Sequence, residues 1–150
     1  MDFSLNVDGA CKGNPGDCGG GGCIRDKHGT VVMAFSHFYG YGSSMLAEAR
    51  ALCDGLRLVE LFGIRLSIIN SDSMALVSSI KSGRCPSWRA YHWWRDVQST
   101  FNRNGFSLCH VYRESNQVAD SLANLGCKTK ENKVFWGASS LPHVCKGPLG

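Results

Sequence analysis

The chain has 150 residues, with 16 Lys and Arg against 12 Asp and Glu, a formal net charge of +4. That length fits one domain, and 43% hydrophobic residues with 10% aromatics supply an ordinary core, which excludes disorder as the dominant state. No apolar run approaches the ~18 residues of a membrane span, and no basic segment followed by an apolar one opens the chain, so an intracellular protein, nuclear or cytoplasmic, with no membrane partner is expected.

Residues 3–8, Phe-Ser-Leu-Asn-Val-Asp, alternate apolar and polar as a half-buried strand does. Residues 9–16 are dense in turn formers, a second strand is predicted over 20–25, and a hairpin turn at 26–29 leads into a third over 30–38. Gly19 to Gly22 are followed by a hairpin rather than a helix, so they predict close backbone packing or a bulge, not a phosphate loop.

The period then changes. Met45, Ala49, Leu52, Leu56 and Val59 form one stripe of a long helix over 44–62, capped by Ser43 or Ser44 and ended by Gly63. A short buried strand follows over 65–70, then a short helix over 73–81. After a break of five residues, a third helix is predicted over 88–102, with Ala90, Trp94, Val97 and Phe101 as its stripe. A fifth strand over 106–112 and a last helix from Asn116 to Cys127 complete the pattern. The order describes an α/β domain over residues 1–130 with a mixed sheet, and residues 131–150 form a tail expected to pack loosely or extend away.

Eight cysteines are spread along the chain with no Cys-x-x-Cys. Structural zinc wants closely spaced ligand pairs, and a disulfide framework belongs to small secreted chains, so neither is expected. Cys53, Cys109 and Cys127 lie in apolar patterns and read as small buried thiols.

Four acids stand apart from the rest. Asp8 ends an apolar strand, Glu48 flanks the buried stripe of the long helix, Asp72 follows the fourth strand and Asp120 opens the last helix. Asp54, Glu60, Asp96 and Glu131 lack apolar framing and read as solvated. If the first and fourth strands are neighbours, Asp8 and Asp72 leave the sheet at one end, where two helices can each add a carboxylate. Four converging carboxylates repel one another unless cations intervene, and oxygen-only ligands suit Mg²⁺ or Mn²⁺.

In order and spacing, Asp8-Gly9-Ala10-x-x-Gly13-Asn14-Pro15-Gly16, Ala47-Glu48, Ser71-Asp72-Ser73 and Asn116-x-x-Ala119-Asp120-x-Leu122-Ala123-Asn124 resemble the type 1 ribonuclease H superfamily over roughly residues 3–130. The segments 19–26 and 110–116 look like its plant branch, found as host genes and in LINE-type retrotransposons. The resemblance implies a ribonuclease H-like fold with a five-stranded mixed sheet, order 3-2-1-4-5, flanked by helices. It implies a monomeric endonuclease that hydrolyses the RNA strand of RNA–DNA hybrids with two Mg²⁺ ions, Mn²⁺ being a substitute. Asp8, Glu48, Asp72 and Asp120 would be both catalytic residues and metal ligands. A non-catalytic nucleic-acid-binding module on the same fold is the alternative.

The resemblance also implies that Gly9 and Asn14 contact nucleic acid, and that Ser43 and Ser44 occupy a DNA-phosphate pocket where many members carry Thr-Asn. Lys12, beside the Asn14 turn, is a candidate phosphate contact. The family's mobile loop histidine has no counterpart between Val111 and Asn116. Arg113-Glu114 takes its place, so Arg113 either reaches the scissile phosphate, neutralises carboxylates or is simply solvated. A basic helix and loop that some members insert is also missing, and modest unaided affinity is expected. Trp94 belongs to the core, while Trp88, Tyr91 and Trp93 are divided between core packing and nucleic-acid contact. His110, flanked by apolar residues, reads as structural. With four acids assigned to the site, the 16 basic residues face eight others, and the surround carries +8.

Overall fold

A computed structural model describes residues 2–145. Strands β1 (Phe3–Lys12), β2 (Gly16–Arg25) and β3 (Val31–Gly42) form an antiparallel meander. Helix α1 (Ser44–Leu61) returns the chain to β4 (Leu66–Ser71), which lies parallel to β1. Helices α2 (Met74–Ser82) and α3 (Tyr91–Arg103) lead to β5 (Ser107–His110), parallel to β4, and α4 (Gln117–Thr129) follows. Among the described residues no helix is long and apolar enough to cross a membrane.

The first five strands take the expected order, but the sheet has six: β6 (Lys133–Trp136) pairs antiparallel with β3, giving β5-β4-β1-β2-β3-β6. The open edge of β3 offers backbone donors and acceptors along Met33 to Ser36, and residues 133–136 satisfy them. Beyond β6, Leu141 and Cys145 are buried with Cys23, Ala34 and Leu122. Residues 133–145 therefore pack on the sheet, contrary to the expectation of a loose tail; residues 146–150 lie outside the described part.

One face of the sheet carries the larger core, where Leu5, Val7 and Ile69 meet Leu52 and Leu56 of α1, with Trp94 and Val97 of α3 behind them. All of the long-helix stripe is buried except the half-buried Met45. The Trp94 indole also donates to Ser79 Oγ at 3.0 Å. Arg50 and Asp54 of α1 reach β3. Asp54 accepts hydrogen bonds from Tyr39 Oη at 2.6 Å and His37 Nδ1 at 2.8 Å, so it is a paired acid rather than a solvated one.

On the opposite face, α4 rests on β2 through glycine. A Cβ on Gly19 or Gly21 would collide with the backbone of α4 at Ala119, Ala123 or Cys127. The absence of side chains at these two positions lets the helix sit directly on the strand, and a register shift at Cys18/Gly19 accompanies it. The glycine run thus brings α4, and Asp120 with it, down to the sheet.

Two thiol expectations change. Cys11 and Cys18 lie opposite each other across β1 and β2, with Cα atoms 4.0 Å apart, and are joined as a disulfide. The hairpin register creates this local pair without any wider framework. Cys53 and Cys127 are buried thiols as expected, whereas Cys109 is only half-buried.

Candidate active site

The β1–β4 ladder ends at the pair Val7 and Ser71, so Asp8 and Asp72 emerge side by side where the parallel pairing stops. This is the point where the sheet changes from parallel to antiparallel neighbours, the usual crevice of such sheets. Above it, Ser43 caps α1 by accepting Leu46 N–H at 3.2 Å, which fixes the helix one turn before Glu48. Gly9 permits the approach: a Cβ there would meet the backbone of Ala47 and Glu48, and the Gly9 N–H donates to Glu48 Oε1. Asp120 arrives in the first turn of α4. A cavity of about 560 Å³ opens between them, lined by Asp8, Gly9, Ser44, Glu48, Asp72 and Asp120 among others. Replacing the cap, Ser43→Ala, is expected to lower the unfolding free energy by about 1 kcal/mol in urea titrations.

Asp8, Glu48 and Asp72 each present an oxygen within 4.8 Å of the others, and Asp120 stands next to Asp8. Asp8 is 5% exposed and Glu48 8%. Burial first, then the neighbouring Glu48, Asp120 and Asp72, push the Asp8 carboxyl far above its ordinary range. Burial also raises Glu48, although hydrogen bonds with Asp8 and the Gly9 N–H work against the rise. Asp72 Oδ2 is buried without a hydrogen-bond partner. Arg113 Nε is 3.9 Å away, within ion-pair range but beyond hydrogen-bond reach. A buried, unpartnered carboxylate oxygen among crowded carboxyls fits a site for a hard divalent cation with oxygen ligands.

This crowding has a measurable consequence. A carboxyl whose pKa is higher in the folded than in the unfolded chain destabilises the fold once the unfolded carboxyl ionises. From ordinary values of 3.8 for Asp8 and 4.5 for Glu48, the loss begins above those values and grows as pH rises through the raised ones. The metal-free protein is expected to melt at lower temperature near pH 8 than near pH 5, with saturating Mg²⁺ shrinking the gap. Thermal melts with chelator and with Mg²⁺ at both pH values check this.

The remaining candidates divide. Gly9, Ser44 and Arg113 line the cavity, with Arg113 at its outer rim, 80% exposed along its side chain. The Ser43 hydroxyl is engaged as the α1 cap, and Asn14 Oδ1 accepts the Ser44 N–H at 3.0 Å, tying the β1–β2 turn to the start of α1. Lys12 lies outside the main cavity, in an adjoining groove with Asp120, Asn124 and Lys128. Trp88 is at the surface, with Arg89 over its ring, and Trp93 stacks with Arg50.

Sequence reasoning missed several parts of the cavity wall, three polar or aromatic side chains near Asp72 among them. Ser73, His110 and Tyr112 all line it. His110 stands edge-on to the exposed Tyr112, with ring centroids 5.6 Å apart, so it faces the site rather than serving only the core. The position of Asp72 directly after a strand flags Ser73, but the lateral pairing of β5 is what reveals His110.

Residues 6–126 match a family model described as reverse transcriptase-like. A curated Arabidopsis thaliana protein named "Putative ribonuclease H protein" is 32% identical over 121 residues, covering 80% of this chain and 20% of that protein. The chain thus spans about a fifth of the length of that relative. Among solved structures, LC11-RNase H1, isolated from compost by a metagenomic approach, superposes with a TM-score of 0.78 at 23% identity, covering 86% of this chain and 97% of that one. The N-terminal RNase H domain of a Mycobacterium tuberculosis protein gives a TM-score of 0.75 at 26% identity, with coverages of 83% and 97%. LC11-RNase H1 in complex with an RNA/DNA hybrid gives 0.78 at 22% identity, with coverages of 86% and 99%.

Proposed function

Because the chain belongs to the reverse transcriptase-like family and has the fold of type 1 ribonucleases H, we propose that it is a divalent-metal-dependent endoribonuclease acting on the RNA strand of RNA–DNA hybrids inside the cell. The observation that carries this reading is the convergence of Asp8, Glu48 and Asp72, with Asp120 on the wall of the same cavity. A purely binding surface facing phosphates would gain nothing from four acids.

In this reading Asp8 and Asp120 would hold one Mg²⁺ ion, and Asp8, Glu48 and Asp72 would hold a second. Bound cations there would ionise the attacking water near neutrality and offset charge on the departing 3′-oxygen. The chain's own groups do the rest. The four carboxylates would fix the spacing of the cations that face the scissile phosphate, and backbone groups at the Gly9 turn with side chains near the Glu48 position meet the ribose 2′-hydroxyls, which distinguish RNA from DNA. Asn14, Ser43, Ser44 and Lys12 lie along the path of the hybrid backbone, and Arg113 reaches the scissile phosphate from the rim.

The test is a cleavage panel: labelled RNA–DNA hybrid, RNA duplex and DNA duplex, each in Mg²⁺, in Mn²⁺ and in excess chelator. Hybrid-only cleavage of the RNA strand, lost with chelator and leaving 5′-phosphate ends, is the expected result. A protein that binds hybrid yet cuts nothing in either metal would instead be a non-catalytic binding module.

A further inference from the structure

Three asparagines stand just ahead of three of the four carboxylates. Asn6 precedes Asp8 by two residues, Asn70 precedes Asp72 by two, and Asn116 precedes Asp120 by four. Although they are far apart in sequence, their side chains form one continuous run. Asn70 Nδ2 donates to Asn6 Oδ1 at 3.3 Å, Asn6 Nδ2 donates to Asn116 Oδ1 at 2.9 Å, and Asn116 Nδ2 donates to the Val7 carbonyl at 2.9 Å. The Asn116 carbonyl then accepts the Asp120 N–H at 3.0 Å.

Asn6 is 6% exposed and Asn116 2%. Amides buried so deeply are costly unless bonded, and here each donates in the same direction, so the run is self-consistent. It crosses from β4 through β1 to the start of α4, the three elements that carry Asp72, Asp8 and Asp120. In a strand, residues two apart share a face, so Asn6 shares a face with Asp8, and its partner Asn70 in β4 stands two residues before Asp72. The last bond lands on Val7, the residue before Asp8. Backbone hydrogen bonds already hold β1 to β4, but the side-chain bonds of Asn116 are what clamp the entry of α4 to β1.

We propose that the Asn70–Asn6–Asn116 amide run is a positioning device: it sets the spacing of Asp72, Asp8 and Asp120 and thereby the affinity of the site for divalent cations. The inference rests on the metal-site reading above and adds to it residues that touch neither metal nor substrate. Removing groups that orient a metal site from behind costs about 10- to 100-fold in metal affinity or activity. Asn116→Ala, which breaks two bonds of the run, is expected at the lower end, roughly tenfold weaker Mn²⁺ binding. Asn70→Ala, at the half-buried outer end, is expected to weaken it less, by about threefold.

The decisive measurement is calorimetric titration of Mn²⁺ into substrate-free protein for wild type, Asn70→Ala, Asn116→Ala and the control Ser79→Ala. Ser79 is a buried hydroxyl bonded to Trp94 and lies outside the lining of the carboxylate cavity, so its loss reports general destabilisation. Weaker Mn²⁺ binding in the asparagine variants but not in Ser79→Ala, with a matching rise in the Mg²⁺ needed for cleavage and an unchanged KM for hybrid, supports the proposal. Wild-type Mn²⁺ affinity in a folded Asn116→Ala overturns it, as does an equal loss in Ser79→Ala. If Asn116→Ala does not fold, unchanged affinity in Asn70→Ala overturns it alone. Absence of Mn²⁺ binding by the wild type would defeat the metal-site reading itself, a result distinct from equal binding by all four proteins.

Discussion

Asp8→Asn is expected to abolish cleavage and, at the same time, to stabilise the metal-free protein. Asp8 is the buried carboxyl shared by the whole cluster, pushed upward by desolvation and by Glu48, Asp120 and Asp72. Asparagine keeps its shape but cannot ionise, so the repulsion that Glu48 and Asp72 impose disappears. Removing a carboxyl whose ionisation burial and its neighbours oppose should raise the melting temperature in chelator by about 3 °C or more, equivalent to roughly 1 kcal/mol in a domain of this size. Activity moves the other way, because the carboxylate proposed to be common to both cation sites is lost; initial rates on hybrid should fall by about three orders of magnitude or more. Thermal melts and rate measurements on the same preparation check both halves. A variant that is both inactive and less stable than wild type without metal would contradict the electrostatic picture of the site.

Gly21→Ala is the second large effect and acts through packing. Its Cβ would meet the backbone of Ala119 and Ala123 and the side chain of Leu122. None of these can yield without lifting α4 from β2. Overpacking of this kind costs about 1–3 kcal/mol or more, and because Asp120 rides in the first turn of α4, the same displacement reaches the chemistry. Urea unfolding should show the stability loss, and kinetics should show kcat falling more than KM rises. Gly105→Ala is the matched control, since nothing lies within 4 Å of its Cβ; it should stay within about 0.5 kcal/mol of wild type with unaltered kcat. Equal behaviour of the two variants would remove the role assigned to the glycine floor.

These two positions also mark what a linear reading can reach. Asp8, Glu48, Asp72 and Asp120 are legible because each stands within or beside an element whose period is plain, and the four motifs occur in a recognisable order. The glycine run was legible as close packing because no helix follows it, but its partner, α4, lies about 100 residues further on and only the fold supplies it. Strand β6 escaped because Lys-Val-Phe-Trp is too short to display a period; the free edge of β3 creates it. Cys11 and Cys18 pair because of hairpin register, which cysteine spacing alone does not encode. Asp54 looked solvated along α1 until β3 brought Tyr39 and His37 to it. The asparagine run is the extreme case, since its bonds span 64 and 110 positions. Local chemistry reads from sequence; lateral contacts between strands and helices do not.

The central claim is that four carboxylates from β1, α1, β4 and α4 together hold two divalent cations at the reacting phosphate. The most direct measurement is anomalous scattering from Mn²⁺ in crystals of the protein bound to an uncleavable phosphorothioate RNA–DNA hybrid. Two peaks are expected, one contacted by Asp8 and Asp120 and the other by Asp8, Glu48 and Asp72, with an RNA phosphate between them. Hybrid seated elsewhere on the surface, or bound at the cavity with no Mn²⁺ peak among these carboxylates, would contradict the claim.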